Sequence, residues 1–376
     1  MPEPASAPAS AVANGALRSN IRGTVRQDSA ASDLIRRTLA GERVPLARAL
    51  SWVENEAPGA IELLDACFER SGRARRIGIT GPPGAGKSTL VTRLGQEYRR
   101  RGETVAIVAV DPTSPFSGGA LLGDRVRMGE LAGDPGVFIR SMATRGSMGG
   151  LAVHTAQVCD VLDAAGFARI LIETVGVGQS ELEVAETADT TAVVLVPESG
   201  DGIQAMKAGL MEIGDLFVIN KADREGAERG AQAVRSALDL RSAPAGWRPL
   251  VLLTVASRGT GVSDLVDRLE GHLEFLQNQG GLERRRRRRL EQRLTDLVRA
   301  QQWSEFRDRV PEAKWRAALD GLLRRRLTPH QAAARLADLA RSEETVNGGR
   351  ERRGPEARPG RRVARGTPNR VKAVRP

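Results

Sequence analysis

Cysteine is nearly missing from this chain: Cys67 and Cys159 are the whole complement in 376 residues, too few for a disulfide framework or a zinc site of their own. Histidine is almost as scarce. His154, His272 and His330 are scattered, which argues for ordinary polar packing rather than a metal cluster. No apolar run approaches the ~18 residues needed to cross a bilayer, which argues against a membrane partner. The opening Met1-Pro2-Glu3-Pro4-Ala5-Ser6 has no basic region followed by an apolar one, so it does not read as a secretory signal. The expectation is a soluble, reduced, cytoplasmic protein.

Lysine is the third scarcity. Of 57 basic residues only Lys87, Lys207, Lys221, Lys314 and Lys372 are lysines. Arginine serves wherever positive charge alone suffices, so a retained lysine marks a place that needs a compact ammonium rather than a planar fork. The formal charge of +11 is also unevenly spread. The run Arg284 to Arg289 and the stretch 341–376, net +7, exceed the total between them, and the rest of the chain is slightly acidic. The basicity therefore belongs to a linker and a tail, and the tail lacks the interleaved aromatics that stack on nucleic-acid bases. The six consecutive arginines read as a solvated helix start or linker, ahead of a docking patch for an acidic partner.

What is present divides the chain into five stretches. Residues 1–30, rich in Ala, Pro and Ser without periodicity, are expected to be disordered. Residues 31–70 read as a helical extension, with Leu34, Leu39, Leu46, Leu50 and Val53 at helical spacings. Between 71 and 270 short β-branched runs alternate with helical stretches: Arg76–Thr80, Val105–Val110, Ile170–Glu173, Ala192–Val196, Leu216–Asn220 and Leu250–Thr254. Continuous apolar strands alternating with helices imply an α/β domain whose mostly parallel sheet is covered on both faces. Strands cease after Gly271, and 271–340 read as helices, one of them started by Thr328-Pro329. From 341 to 376 large apolar residues almost vanish, and the tail is expected to be disordered.

The strongest motif is Gly81-Pro82-Pro83-Gly84-Ala85-Gly86-Lys87-Ser88, which fits G-x-x-x-x-G-K-[ST] and follows an expected strand directly. Its glycines let backbone N–H groups curl around a phosphate, and the following helix adds its positive end. Lys87 would reach the β- and γ-oxygens, and Ser88 would ligate magnesium. Asn220-Lys221-Ala222-Asp223 ends a later strand. In an N-K-x-D arrangement the Asp223 carboxylate accepts from the ring N–H and the exocyclic amine of guanine, which adenine cannot match; Lys221 lies along the base and Asn220 braces the loop. Val255-Ala256-Ser257, after the last strand, stands where a guanine-bracing loop belongs. Between these anchors Asp111, Asp124 and Glu173 are acidic positions at or near strand ends. Each either holds magnesium, anchors its waters or orients the attacking water, although a strand-end Asp is equally often only a helix cap. Gly176 offers a backbone N–H for the γ-phosphate.

These residues together resemble the MeaB/ArgK-type GTPases, the G-protein chaperones of cobalamin-dependent acyl-CoA mutases. The matching stretches are Gly81 to Thr89, Val110 to Pro115 with Gly118-Gly119 and Leu122 to Arg125, Arg145 to Ala152, Glu173 to Glu181 and Asn220 to Asp223. The resemblance covers about residues 33–340. It implies a P-loop NTPase fold of the signal-recognition-particle/MinD class, GTP/GDP and Mg as cofactors, and a C-terminal helical dimerisation arm. A homodimer and a partner mutase, methylmalonyl-CoA mutase foremost, follow by the same implication. By the family pattern Gly81, Gly84, Ala85, Gly86, Lys87, Ser88 and Thr89 cradle the phosphates, and Ser88, Asp111 and Glu173 are the metal candidates. Asp111 and Asp124 lie in a first switch, Glu173 heads a second, and Lys207 sits in a third mobile loop. That third loop departs from the family, reading Pro197-Glu198-Ser199-Gly200-Asp201 where many relatives carry Pro-Gly-Ala/Ser-Gly-Asp. A P-loop kinase and a metal-insertion GTPase are the alternatives. The first needs an acceptor pocket and general base, the second a His- or Cys-rich segment.

Overall fold

The computed structural model describes residues 30–111, 129–143, 150–174, 180–197, 209–240 and 246–350. Contacts divide the chain into two units, the first ending at Leu297. At the centre of the first unit lies a seven-stranded sheet. Its strands are β1 (Arg75–Thr80), β2 (Val105–Asp111), β3 (Val137–Ala143), β4 (Arg169–Thr174), β5 (Thr190–Leu195), β6 (Leu216–Asn220) and β7 (Leu250–Thr254). They lie in the order β3-β2-β4-β1-β5-β6-β7, and every pairing is parallel. The α/β expectation is met and sharpened from mostly to wholly parallel. All carboxyl ends therefore share one edge, and the chain reverses its direction of travel across the sheet at β1, where open α/β sheets bind ligands.

Alternation along the strands divides the core into two faces. Ile77, Ile79, Val105, Ile107, Val194 and Val218 pack under α4 (Lys87–Arg100) and α9 (Val262–Asn278). Ala106, Val108, Val110, Ile170 and Ile172 face the other way, against α2 (Arg43–Glu54), α3 (Ala60–Phe68) and α5 (Gly150–Ala164). Helix α1 (residues 30–39) precedes them, and α6 (Ser180–Thr187), α7 (Leu210–Ile213) and α8 (Ala227–Asp239) complete the wrapping. The stretch 31–70 is thus no separate appendage, because Leu46, Leu50, Leu63 and Cys67 are buried in the same cluster as β2 and β4.

Two further differences from the sequence reading have local causes. Strand β3 was not anticipated, because Arg140 and Ser141 interrupt its apolar run. It is a sheet edge paired only to β2, and Arg140 is neutralised there by Glu54 at 2.5 Å. The boundary expected at Gly271 falls inside α9, whose Leu265, Leu269, Leu273 and Leu276 are buried on one stripe. Gly271 has no neighbour within 4 Å of where a side chain would start, so the helix continues through it at a cost of only about 1 kcal/mol.

The second unit is helical. It comprises the end of α10 (Gly281–Arg309), α11 (Glu312–Leu323) and α12 (Pro329–Arg350), packed around Val310, Leu336 and Ala340 with Phe306 and Trp315. Trp303 meets Trp315 edge-on at 6.0 Å. Thr328 starts α12 through a reciprocal cap: its hydroxyl accepts the Gln331 backbone N–H at 3.2 Å, and the Gln331 side-chain Oε1 accepts the Thr328 N–H at 3.0 Å. The disordered tail expected from 341 is corrected for its first ten residues, since α12 runs to Arg350; Ser342-Glu343-Glu344 extend a helix readily once it is nucleated. Residues 1–29 and 351–376, which hold the remaining disorder expectations, lie outside the described residues.

The arginine run is not a solvated linker. It forms the first turns of α10, and Arg285, Arg286, Arg289 and Arg293 lie on one helical face against carboxylates of the sheet's amino edge. Arg285 forks onto Asp215 at 2.7 and 2.9 Å. Arg286 and Arg289 hold Asp189 at 3.0 and 2.5 Å, and Arg293 pairs with Asp160, which also takes Arg76 at 2.6 Å. Asp189 is 0% exposed and also accepts the Arg76 N–H at 3.0 Å. Burial alone would raise its pKa; Arg289 and Arg286 outweigh burial and hold it at about 2. A carboxylate so lowered stabilises the fold above its unfolded pKa, and the contribution disappears as pH falls through the folded value. Asp189→Asn is expected to cost about 3 kcal/mol in urea unfolding at pH 7, because two arginines lose their buried partner. The deficit should shrink toward zero between roughly pH 4 and pH 2. Equal stability of variant and wild type at pH 7 would contradict this role.

Candidate nucleotide-binding site

The site is assembled at the carboxyl edge, where β1 hands over to α4. Gly81 and Gly86 carry φ angles of 135° and 86°, conformations that other residues rarely adopt. A Cβ at Gly81 would run into the Val194 carbonyl, and one at Gly86 would stand 2.5 Å from the Asn220 Nδ2. The loop therefore needs glycine for space as well as for conformation. Gly86 gives α4 no side-chain cap, and the first turn of α4 carries no acidic residue. Its leading N–H groups thus keep the positive end that favours a phosphate. Lys87 is buried, and its ammonium donates to the carbonyls of Gly81 and Pro82 at 2.8 and 2.9 Å. It lies over the loop it belongs to.

Ser88, the next residue on α4, donates its hydroxyl to Glu173 Oε1 at 2.5 Å. Glu173, the penultimate residue of β4, is 3% exposed. A hydroxyl and a carboxylate in contact at the mouth of the loop are the hard oxygen donors magnesium takes, so these two residues fit the ion. In register, Ala109 pairs with Glu173 and Val110 with Thr174, placing Asp111 at the adjoining end of β2; its side chain lies outside the described residues. Asp124, Gly176 and Lys207 also lie outside them. Among the described residues no group of three or more His, Cys, Asp or Glu is placed to hold a metal.

The N-K-x-D stretch grips the phosphate loop from the other side. Asn220 is 2% exposed, and its Nδ2 donates to the Ala85 carbonyl at 2.8 Å. Its Oδ1 accepts from the Thr254 hydroxyl at 3.1 Å and from the Ala256 N–H at 3.0 Å. One amide thus joins the phosphate loop, the end of β7 and the Val255–Ser257 loop. Lys221 adopts a φ of 58°, a left-handed conformation that costs energy outside glycine, and its ammonium reaches the Gly84 carbonyl at 2.9 Å. Asp223 stands at the exposed rim, where Arg258 approaches its carboxylate to 3.6 Å.

Two residues of this site escaped the sequence reading. Arg258 follows the bracing loop directly. Arg93, six residues along α4 from Lys87, donates from Nε to the Ala256 carbonyl at 3.2 Å and from Nη2 to the Ser257 carbonyl at 3.3 Å. Its helical distance from Lys87 was the only signal available, and that alone does not single out one arginine among many.

Comparison with known proteins bears on the same residues. A family model described as methylmalonyl Co-A mutase-associated GTPase MeaB matches residues 46–310. A relative from Pyrococcus abyssi, named as a GTPase, is 51% identical over 269 residues, covering 71% of this chain and 83% of its own length. GTPase ArgK of Escherichia coli is 40% identical over 242 residues, covering 62% and 73%. The mitochondrial methylmalonic aciduria type A homolog of Caenorhabditis elegans is 33% identical over 320 residues, covering 80% of each chain. Among solved structures, a LAO/AO transport system kinase superposes with a TM-score of 0.63 at 29% identity, over 83% of this chain and 98% of that one.

The placement of Asp223 makes base choice testable. Asp223→Asn is expected to weaken guanine nucleotide binding by at least ~100-fold and to create affinity for xanthosine nucleotides, whose ring carbonyl pairs with the amide. Fluorescent-nucleotide titration measures both. An unchanged preference for guanine would contradict the base-reading assignment.

Proposed function

The chain belongs to the methylmalonyl Co-A mutase-associated GTPase MeaB family, and from that premise we propose that it is a GTP-hydrolysing chaperone of a cobalamin-dependent acyl-CoA mutase. In this reading GTP state governs loading, protection or repair of the mutase cofactor. The observation that carries the nucleotide half is the grip of Asn220 and Lys221 on Ala85 and Gly84, which joins a guanine-reading motif to a phosphate-binding loop. The mutase half is supported by the family description and by the name of the nematode relative.

The chemistry is electrostatic. The α4 N-terminus and the Lys87 ammonium neutralise charge that moves onto the β–γ bridging oxygen as the bond to the γ-phosphorus breaks. Ser88 and Glu173, with Asp111 as a further candidate, would hold magnesium, which would supply positive charge to the phosphate oxygens. Asp124 and Glu173 are candidates for orienting the attacking water, Gly176 for sensing the γ-phosphate, and Lys207 for passing nucleotide state to the partner. Such a site turns over slowly until a partner orders it. A homodimer through the C-terminal arm belongs to the same proposal. Leu290, Leu294 and Leu297, exposed by 48%, 64% and 48% at helical spacing on α10, support it. A cytoplasmic setting is a further part of the proposal. Among the described residues no helix is long and apolar enough to cross a membrane.

Phosphate release tests the proposal. The purified protein is expected to hydrolyse GTP and not ATP, faster when a cobalamin-dependent acyl-CoA mutase is added, and to co-elute with that mutase in the presence of GTP. Lys87→Ala should remove the activity. Equal hydrolysis of ATP would overturn the guanine reading, and transfer of phosphate to an acceptor without free phosphate would favour a kinase.

A further inference from the structure

Arg93 is the only described residue outside the two nucleotide motifs that bonds two consecutive carbonyls of the loop expected to brace the base. The Val255–Ser257 segment is otherwise short and exposed at Ser257. It is held by the Asn220 contact to the Ala256 N–H at 3.0 Å and by the bridge from the Val255 N–H to the Thr260 carbonyl at 3.0 Å. Those contacts fix its start and its return. The Ala256 carbonyl accepts from the Gly259 N–H at 3.2 Å and from Arg93 at 3.2 Å, and the Ser257 carbonyl accepts from Arg93 at 3.3 Å. A guanidinium suits that task because its planar fork presents several N–H groups in fixed directions, whereas an ammonium cannot span two carbonyls with the same orientation.

Arg93 is itself oriented. Its Nη1 donates to Gln96 Oε1 at 2.9 Å and to Glu130 Oε2 at 3.2 Å, and Gln96 Nε2 donates to the same Glu130 oxygen at 2.7 Å. The two side chains from α4 and the one carboxylate form a closed set. The fork is thereby pre-aimed at the loop, and its charge has a partner in place. Arg93 is 31% exposed and Glu130 60%, so the carboxylate serves more for direction than for stability.

The geometry of α4 gives this contact its meaning. The same helix begins with Lys87 and Ser88 at the phosphate end and, less than two turns later, presents Arg93 to the base end. A nucleotide would thus be gripped at both ends by one rigid element, with distances fixed by helical rise. We propose that Arg93 is a positioning residue for base recognition: it holds the Val255–Ser257 backbone where the Ser257 N–H meets the guanine carbonyl, and so adds to the selectivity that Asp223 begins. A backbone N–H accepts no hydrogen bond from the amine that adenine carries at that position, so the loop discriminates only while it is held in place. The proposal rests on the guanine-nucleotide reading of the site.

Calorimetric titration of the full-length protein with GDP and ADP tests it. In the wild type GDP is expected to bind far more tightly than ADP; comparable affinities would sink the guanine reading itself, before Arg93 is considered. In Arg93→Ala the GDP affinity should fall roughly tenfold to a hundredfold, the worth of charge-assisted hydrogen bonds. ADP affinity and the thermal midpoint of the nucleotide-free protein should stay near wild type. Arg93→Lys should recover only a small part of the loss. Glu130→Gln should lower GDP affinity by a smaller factor, and not further when combined with Arg93→Ala, because Glu130 acts through Arg93. If wild-type selectivity is present and Arg93→Ala keeps it, or if GDP and ADP weaken in parallel with the thermal midpoint, Arg93 is only a structural residue and the proposal is overturned.

Discussion

One buried amide holds the nucleotide site together. Asn220 spends its donor on the phosphate loop at Ala85 and its acceptor on Thr254 and the Ala256 N–H. Asn220 ends β6, and its partners follow β1 or lie at the end of β7 and just beyond it; β1 is separated from β6 in the sheet by β5. A side chain of any other shape would leave one of the three groups unsatisfied in a place water barely reaches, at a cost of about 1–3 kcal/mol per orphaned group. Everything else at the site is arranged around that link: Gly86 must lack a side chain because the Asn220 amide lies against it, and Lys221 accepts a strained backbone next to it.

The opposite edge of the sheet is held by charge. Asp189 and Asp215 stand immediately before β5 and β6 and are clasped by α10 through Arg285, Arg286 and Arg289. Asp163 accepts the N–H groups of Gly72, Arg73 and Ala74 just before β1. Each carboxylate pins the start of a strand whose far end carries a motif, or leads on toward one. A rigid strand with both ends held is a suitable platform for loops that respond to a nucleotide.

Much of this was legible beforehand because phosphate and guanine recognition demand particular residues at fixed spacing. Backbone curvature needs Gly81 and Gly86, a phosphate loop calls for an ammonium such as that of Lys87, and the proposed base contact calls for a carboxylate such as that of Asp223; each leaves a mark that survives without a structure. Residues whose role depends on distant partners leave none. Arg93 and the face formed by Arg285, Arg286, Arg289 and Arg293 are arginines in a chain full of them, and only folding shows which meet a carbonyl or a buried carboxylate. Strand β3 was hidden by its polar edge residues, and the continuity of α9 through Gly271 by a glycine that costs a helix little.

The link through Asn220 predicts that base-side and phosphate-side binding are mechanically joined. Calorimetric titration of Asn220→Ala with inorganic pyrophosphate, which has no base, examines that directly. Affinity should fall by about tenfold relative to wild type, as the Ala85 carbonyl loses its buried donor and the phosphate loop its brace. Wild-type affinity for pyrophosphate in a folded Asn220→Ala protein would show that the loop supports itself, and the coupling of the two motifs would be contradicted.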